Sequence, residues 1–214
     1  MNTEKQLLTD ILTKADGGEQ LGFDEIRFLL TLETEDSLKR LIESAYAIKE
    51  RMTGRKVFFR GLIEVSNICM KDCLYCGIRK SAHSVKRYMM KEEEILAAAD
   101  FAFKNRYGSI VLQSGERSDS HFSDFIENVV RKITLRSGGA LGITLSLGEQ
   151  SEQTYTRWFA AGAHRYLLRI ETSNPELYRR LHPADHNFEA RKDCLRLLKK
   201  CGYQVGTGVM IRLP

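Results

Sequence analysis

The sequence lacks the features that define several large classes of protein. No apolar run in its 214 residues approaches the ~18 that a membrane-spanning helix needs. The first fourteen residues carry acids and no signal-peptide core. Prolines number only 3, and low-complexity stretches are missing, which excludes a disordered or linker-rich chain. We therefore expect a cytoplasmic globular protein without membrane association, either one ordinary domain or one large domain cut short.

A strong charge of one sign is missing as well. The formal net charge is +5, and Lys and Arg are interspersed with Asp and Glu throughout. This balance suits a small anionic ligand and argues against a nucleic-acid partner. The chain has 5 cysteines, an odd number, and no secretion signal. This does not fit a secreted, disulfide-linked protein, so we expect a reducing compartment.

The apolar pattern changes at about residue 55. Before it, amphipathic stretches predict helices within 7–12, 24–30 and 36–52. After it, strand-like and helix-like segments alternate, which implies parallel βαβ units. The predicted strands are 62–65, 109–112, 143–147, 166–170 and 204–211, and the predicted helices are 92–103, 122–135, 155–161, 175–181 and 188–200. The chain thus divides into an N-terminal helical region, residues 1–54, and a core, residues 55–214.

Two parallel α/β architectures compete for the core, an open doubly wound sheet and a (β/α)₈ barrel. The core holds 160 residues, which is room for about five units at the roughly 31 residues of a barrel unit. A dinucleotide-binding sheet would require a G-x-G-x-x-G turn after its first strand, and the sequence has no such turn there. We predict an incomplete TIM-barrel-like fold of about five βα units with an N-terminal helical extension.

The loop after the first strand holds three cysteines, Cys69, Cys73 and Cys76, in a C-x₃-C-x₂-C pattern. Three clustered thiolates suit three irons of a 4Fe–4S cluster and leave the fourth iron free to bind a substrate or cofactor. A structural zinc site with His83 as fourth ligand is the first alternative. Three buried core cysteines are the second, but Lys71 and its charged neighbours indicate an exposed loop. Loops at strand C-termini are also where barrel active sites lie.

The sequence resembles a known family at this motif. C-x₃-C-x-aromatic-C after the first strand of a barrel is the signature of the radical S-adenosylmethionine (SAM) superfamily. The segments RGLIEVSNICMKDCLYCGIR, SIVLQSGE, ITLSLGE and AGAHRYLLRIETSNPELYRRLHP resemble the E-type maturases of FeFe-hydrogenase. That group is related to biotin synthase and methylornithine synthase. The likeness extends from about residue 55 to the last residue.

The resemblance implies an enzyme that holds a 4Fe–4S cluster on the three cysteines and reductively cleaves SAM to a 5′-deoxyadenosyl radical. It implies a role in assembling the hydrogenase cluster, with a small-molecule or organometallic substrate. The implied partners are other hydrogenase maturases and an electron donor such as flavodoxin or ferredoxin. The alternatives are a methylornithine synthase-like or biotin synthase-like enzyme acting on an amino-acid-type substrate, and a non-catalytic iron–sulfur or zinc module.

The resemblance also assigns SAM contacts to residues near the strand ends. It implies that the Ser114-to-Glu116 turn meets the methionine amino group and that Arg191 meets the carboxylate. Glu171 is expected at the ribose or ammonium, Ser146 near SAM and Arg169 in the central cavity. The implied cofactor-binding set is Tyr75, Ser114, Gly115, Glu116, Ser146, Arg169, Glu171 and Arg191.

Simpler interpretations of these residues remain open at this point. Glu116 and Arg191 are then solvated surface residues, and Arg169 and Glu171 form a structural ion pair within the fourth strand. Four histidines are interpreted as scattered residues without a metal-binding pair: His121, His164, His182 and His186. Three residues are interpreted as core packing: Cys194, Cys201 and Trp158.

Family members continue after a G-L-P sequence that here reads Arg212-Leu213-Pro214, with Arg in place of the usual Gly. The resemblance therefore implies that the last strands, and part of the substrate cavity, are absent from this chain.

Overall fold

The computed structural model describes residues 2–211, which fall into two compact units, one up to Val57 and one from Phe58 onward. The first unit is helical, with α1 (Asn2–Asp16), α2 (Phe23–Leu30) and α3 (Glu35–Thr53). Leu8 and Ile11 on α1 are buried. Thr34 caps α3 by accepting a hydrogen bond from the backbone N–H of Ser37 at 3.3 Å.

The second unit alternates strands with helices. Its strands are β1 (Arg60–Ser66), β2 (Ser109–Ser114), β3 (Gly142–Ser146), β4 (Arg165–Leu167) and β5 (Gln204–Gly206). Its helices are α4 (Glu92–Lys104), α5 (Ser120–Arg136), α6 (Glu152–Ala161), α7 (Pro175–Leu181) and α8 (Phe188–Lys200). Helices α7 and α8 have the predicted bounds, because Asn174 and Asn187 cap them by accepting hydrogen bonds from backbone N–H groups.

The strands form one parallel sheet in the order β1-β2-β3-β4-β5. A doubly wound sheet reverses its strand order at a switch point, whereas a barrel keeps its strands sequential. The sequential order therefore confirms the predicted barrel-like class. It also brings the C-terminal ends of all the strands to one edge, where the loop after each strand begins.

The core of this unit lies between the sheet and its covering helices. Leu112 on β2 and Leu145 on β3 are adjacent in the sheet and fully buried. They belong to the same apolar cluster as Ile126 and Val129 on α5 and Trp158 on α6. The indole Nε1–H of Trp158 donates to the backbone oxygen of Ser123 at 2.9 Å, so the buried ring has its polar atom satisfied.

The predictions for the last two strands are wrong in length. Strand β4 ends at Leu167 instead of residue 170, and β5 ends at Gly206 instead of residue 211. The ladder stops because the N–H of Ile170 donates to the side-chain oxygen of Thr207 at 3.0 Å instead of to a backbone carbonyl. Pairing returns only as a single bridge between Glu171 and Val209. The predicted departure at Arg212-Leu213-Pro214 lies outside the described residues.

Candidate active site

The three cysteines lie on the long loop between β1 and α4, at the C-terminal edge of the sheet. All three are half-buried free thiols. The loop folds on itself through a hydrogen bond from the N–H of Lys80 to the oxygen of Lys71 at 2.8 Å. Arg87 holds its far side, since its guanidinium donates to four backbone oxygens, those of Asn67, Ile78, Arg79 and Ala82. Arg87 was not predicted, although four carbonyl contacts make it a main support of the loop.

The cysteine loop is packed directly against the end of β2. The N–H of Met70 donates to the oxygen of Glu116 at 2.9 Å, and the N–H of Glu116 donates to the Cys69 sulfur at 3.3 Å. Gly115 makes this approach possible, because a Cβ there would lie 2.4 Å from the oxygen of Ile68. The Cys69 sulfur is therefore held against the end of β2.

The residues of the predicted site line one cavity of about 190 Å³. It is lined by every residue of the predicted metal-binding and cofactor-binding sets: Cys69, Cys73, Cys76, Tyr75, Ser114, Gly115, Glu116, Ser146, Arg169, Glu171 and Arg191. A larger cavity, about 370 Å³, lies among Arg60, Thr144 and Arg165 near the strand N-termini. Active sites in barrels lie at the C-terminal edge, which favours the smaller cavity.

Four charged side chains form a network at this cavity: Glu116 and Arg191 are buried, and Lys71 and Glu149 are half-buried. Nζ of Lys71 lies 3.0 Å from Oε2 of Glu149 and 3.3 Å from Oε1 of Glu116. On the other side, Nε of Arg191 lies 3.0 Å from Oε1 of Glu149, and its Nη1 lies 3.7 Å from Oε2 of Glu116. Two cations thus compensate two carboxylates. The solvated interpretations of Glu116 and Arg191 are wrong, since only 8% and 6% of these residues are exposed.

The network shifts the pKa values of its members in ways that follow from burial and charge. Burial raises the pKa of Glu116, and Arg191 and Lys71 oppose this rise. Burial lowers the pKa of Lys71, but the two carboxylates outweigh it and the net shift is upward. Burial also raises the pKa of the Cys73 thiol to about 11. Ligation of a metal by Cys73 must therefore displace its proton.

Glu171 combines a strained backbone with a buried carboxylate. Its φ is +66°, a left-handed value that is rare outside glycine. Within the described residues, its buried Oε2 has no hydrogen-bond partner, and burial raises the pKa of the carboxyl group. The alternative of a structural ion pair is wrong, because no described salt bridge joins Arg169 to Glu171. The strand ends before both residues, which places Arg169 in an exposed position along the cavity.

Two histidines that the sequence analysis sets aside contact the cysteine loop. His182 and His186 are buried, with ring centroids 5.6 Å apart. Nε2 of His182 lies 3.1 Å from the hydroxyl of Tyr75, and Nε2 of His186 lies 3.2 Å from the backbone nitrogen of Asp72. Burial lowers the pKa of His182, with His186 adding to the effect. The interpretation of these two residues as scattered is wrong.

Glu149 was also missed as a site residue, although the sequence contains its signal. The Gly148-Glu149 pair follows β3 just as Gly115-Glu116 follows β2. The residues interpreted as core packing do pack there: Trp158 is fully buried, and Cys194 and Cys201 lie against the apolar cluster.

The donor set of the cavity suits a cluster better than a single metal ion. Among the described residues, no three Cys, His, Asp or Glu side chains are gathered closely enough to hold one ion. A 4Fe–4S cluster takes each thiolate at a different iron, so it does not need the sulfurs to meet at one point. His83, the proposed fourth zinc ligand, is exposed.

The same cavity offers two buried polar atoms to a polar ligand. One is Oε2 of Glu171, which can accept a hydrogen bond, and the other is Nε–H of Arg191, which can donate one. The Arg191 N–H is not aligned with Glu149 despite the 3.0 Å separation, and no described acceptor satisfies it. A ligand with a carboxylate and with hydroxyl or ammonium groups, such as SAM, matches these atoms.

Comparison with known proteins agrees with this geometry. The profile of the Radical SAM superfamily matches residues 63–214, and the chain belongs to that superfamily. The chain is 40% identical to the [FeFe] hydrogenase maturase subunit HydE of Thermotoga maritima, over 98% of this chain and 55% of that protein. It is 29% identical to the biotin synthase of Lysinibacillus sphaericus, over 91% of this chain and 58% of that protein.

A solved structure of methylornithine synthase (PylB) has the same fold, with a TM-score of 0.79 at 27% identity over 94% of this chain and 59% of that one. The chain therefore spans about half the length of the curated relatives it matches. In the described part of the chain, no helix is both long enough and apolar enough to cross a membrane.

Proposed function

We propose that this chain holds a 4Fe–4S cluster on Cys69, Cys73 and Cys76 and binds SAM beside it. The observation that carries the proposal is a single cavity that combines three free thiols with the unsatisfied Glu171 Oε2 and Arg191 Nε–H. When bound, the cluster supplies one electron to SAM, which yields methionine and a 5′-deoxyadenosyl radical. The residues of this chain bind and orient SAM and keep water away from it.

Each polar residue of the cavity has a task in this proposal. Arg191 binds the SAM carboxylate through its free N–H, and Glu171 accepts from the ribose hydroxyls or the ammonium group. The backbone of Ser114 to Glu116 accepts from the methionine amino group, because Gly115 leaves room for close approach. Ser146 and Tyr75 line the remainder of the SAM pocket, and Arg169 faces the substrate.

We further propose that the protein acts in the maturation of [FeFe] hydrogenase. The support is the 40% identity to a HydE subunit, against 27% and 29% to the methylornithine and biotin synthases. Its substrate is then a small organic or organometallic molecule. Its partners are other maturases and a low-potential electron donor such as flavodoxin or ferredoxin, in the cytoplasm.

The cluster proposal is tested by anaerobic reconstitution. We expect about three to four irons and sulfides per chain and a brown iron–sulfur spectrum. Replacing Cys69, Cys73 or Cys76 by Ala should abolish both. Cys194→Ala is the matched control, since that thiol packs on the core. A colourless protein that holds one zinc, or a cluster lost in Cys194→Ala, contradicts the proposal.

The reaction is tested separately from the cluster. The reduced protein should change its cluster EPR spectrum when SAM is added and should release 5′-deoxyadenosine and methionine. Added to a hydrogenase maturation mixture that lacks its HydE component, it should restore hydrogenase activity. Formation of 3-methylornithine or biotin in place of that rescue would assign the protein to one of the alternative reactions.

A further inference from the structure

The end of α7 and its connection to α8 contact the cysteine loop at three places. The N–H of Leu74 donates to the backbone oxygen of Leu181 at 2.9 Å. Nε2 of His186 lies 3.2 Å from the nitrogen of Asp72, and Nε2 of His182 lies 3.1 Å from the Tyr75 hydroxyl. All three contacts fall between Cys69 and Cys76.

The neighbours of each imidazole determine which of its nitrogens carries the proton. Nδ1 of His182 lies 2.8 Å from the backbone oxygen of Tyr178, and Nδ1 of His186 lies 2.7 Å from Oδ1 of Asp185. A carbonyl or carboxylate oxygen only accepts hydrogen bonds, so each Nδ1 carries the hydrogen. In the neutral rings, both Nε2 atoms are then acceptors that point at the cysteine loop.

Both rings are placed to hold this orientation. Only 3% of His182 and 6% of His186 are exposed. His182 also stacks on Tyr178, with ring centroids 4.0 Å apart. Buried imidazoles need partners for both nitrogens, and here one partner of each ring belongs to the cysteine loop. The loop is thereby connected to the helix pair that carries Arg191.

Tyr75 lies two residues after Cys73 on the cysteine loop, and both residues line the same cavity. A hydroxyl has one hydrogen and cannot fully donate it to both His182 and Cys73. Because Nε2 of His182 is an acceptor, it takes this hydrogen and leaves the sulfur without it. A hydrogen bond to a ligating sulfur is one of the factors that set the reduction potential of a cluster.

We propose that His182 and His186 are positioning residues of the cluster site. His186 holds the Cys69–Cys73 turn by accepting from the N–H of Asp72, and His182 directs the Tyr75 hydroxyl away from the Cys73 sulfur. The effect on the cluster rests on the proposed function, whereas the hold on the loop does not. Two experiments therefore test the two parts separately.

The first experiment uses the cluster-free protein and measures hydrogen exchange at the Asp72 amide by NMR. His186→Leu removes the acceptor and should speed exchange about fivefold, the equivalent of one ordinary hydrogen bond. His186→Gln can present an oxygen near the Nε2 position and should restore slow exchange, whereas the shorter His186→Asn should not. His121→Leu, at an exposed histidine, should change nothing. Equal exchange in the Gln and Asn variants, or no effect in His186→Leu, overturns the proposal for His186.

The second experiment measures the reduction potential of the reconstituted cluster in a double-mutant cycle. His182→Leu frees the Tyr75 hydroxyl to donate to Cys73 and should raise the potential. The double variant with Tyr75→Phe and His182→Leu should have the same reduction potential as Tyr75→Phe alone, because no hydroxyl is left to donate. A shift of equal size in both backgrounds would mean that His182 acts only on packing, and no shift in either would overturn its proposed role. If the unmodified protein takes up no cluster, the proposed function fails while the exchange experiment still decides the role of His186.

Discussion

The charge network gives a sharp prediction for Arg191. Replacing it by Met keeps most of its volume but removes the cation 3.0 Å from Glu149 and 3.7 Å from Glu116. Loss of one partner from a buried ion pair costs about 3–5 kcal/mol. Lys71 stays within 3.3 Å of both carboxylates and still compensates one of them. We therefore expect the free energy of unfolding to fall by about 3 kcal/mol, the lower end of that range.

Urea unfolding of the cluster-free protein, followed by tryptophan fluorescence, measures this loss. The chain has a single tryptophan, Trp158, which is fully buried in the second unit and so reports on that unit alone. Arg196→Met is the matched control on the same helix. Its ion pair with Asp193 is 65% and 61% exposed at the two side chains, so its loss should stay within about 0.5 kcal/mol. Similar losses in the two variants would refute the network as a source of stability.

The pH dependence of Arg191→Met supplies a second check. Burial raises the pKa of Glu116, and Arg191 opposes that rise, so the variant should have a higher Glu116 pKa than the unmodified protein. A carboxyl group with a raised folded-state pKa contributes its stability fully below the unfolded value and loses it as the pH rises through the folded value. The difference in free energy of unfolding between the unmodified protein and Arg191→Met should therefore shrink as the pH is lowered from neutrality towards 4.5. A deficit that does not change with pH would contradict the assignment to buried carboxylates.

Two further predictions concern the backbone around the cavity. Gly115→Ala should lower the free energy of unfolding by about 2 kcal/mol and reduce iron uptake, because the new Cβ would lie 2.4 Å from the oxygen of Ile68. Gly77→Ala, where no described atom lies within 4 Å of the added Cβ, should be neutral in both assays. Glu171→Gly should raise the free energy of unfolding by about 1 kcal/mol through relief of its left-handed φ, yet weaken SAM binding by calorimetry. Glu171→Gln keeps the backbone strain, so an equal gain in stability there would contradict this explanation.

The barrel-like order and the position of the cysteine loop were predictable because each follows from local patterns. Apolar runs of strand length alternated with amphipathic stretches of helix length, and this alternation admits few topologies. The ends of β4 and β5 were not predictable in the same way. The strand-like segment continues to Ile170, but the Thr207 side chain takes the hydrogen bond that would extend the ladder. Which of two oxygens accepts a given N–H depends on tertiary geometry, so the residue pattern does not reveal it.

The site residues also include some that the sequence indicated and some that it did not. The resemblance implied the three cysteines, the residues near the strand ends and Arg191 on α8, and all of them line one cavity, whereas Glu149 after β3 was missed. His182 and His186 were missed because the sequence shows no metal-binding pair of histidines and carries no other signal for these two residues. Their contacts are instead hydrogen bonds across more than a hundred residues of sequence, to Tyr75 and Asp72. Spacing along the chain carries no information on such contacts.

The cavity is also where this chain departs most from what favours stability alone. Glu171 holds a backbone angle suited to glycine, and its carboxylate is buried without a described partner. Arg191 keeps a buried N–H unsatisfied although a carboxylate lies beside it, and Gly115 leaves no room for any side chain. Each of these features costs stability in the isolated chain. Their concentration in one cavity, beside three thiols, is typical of a binding site, since a complementary ligand can supply partners for the unsatisfied atoms.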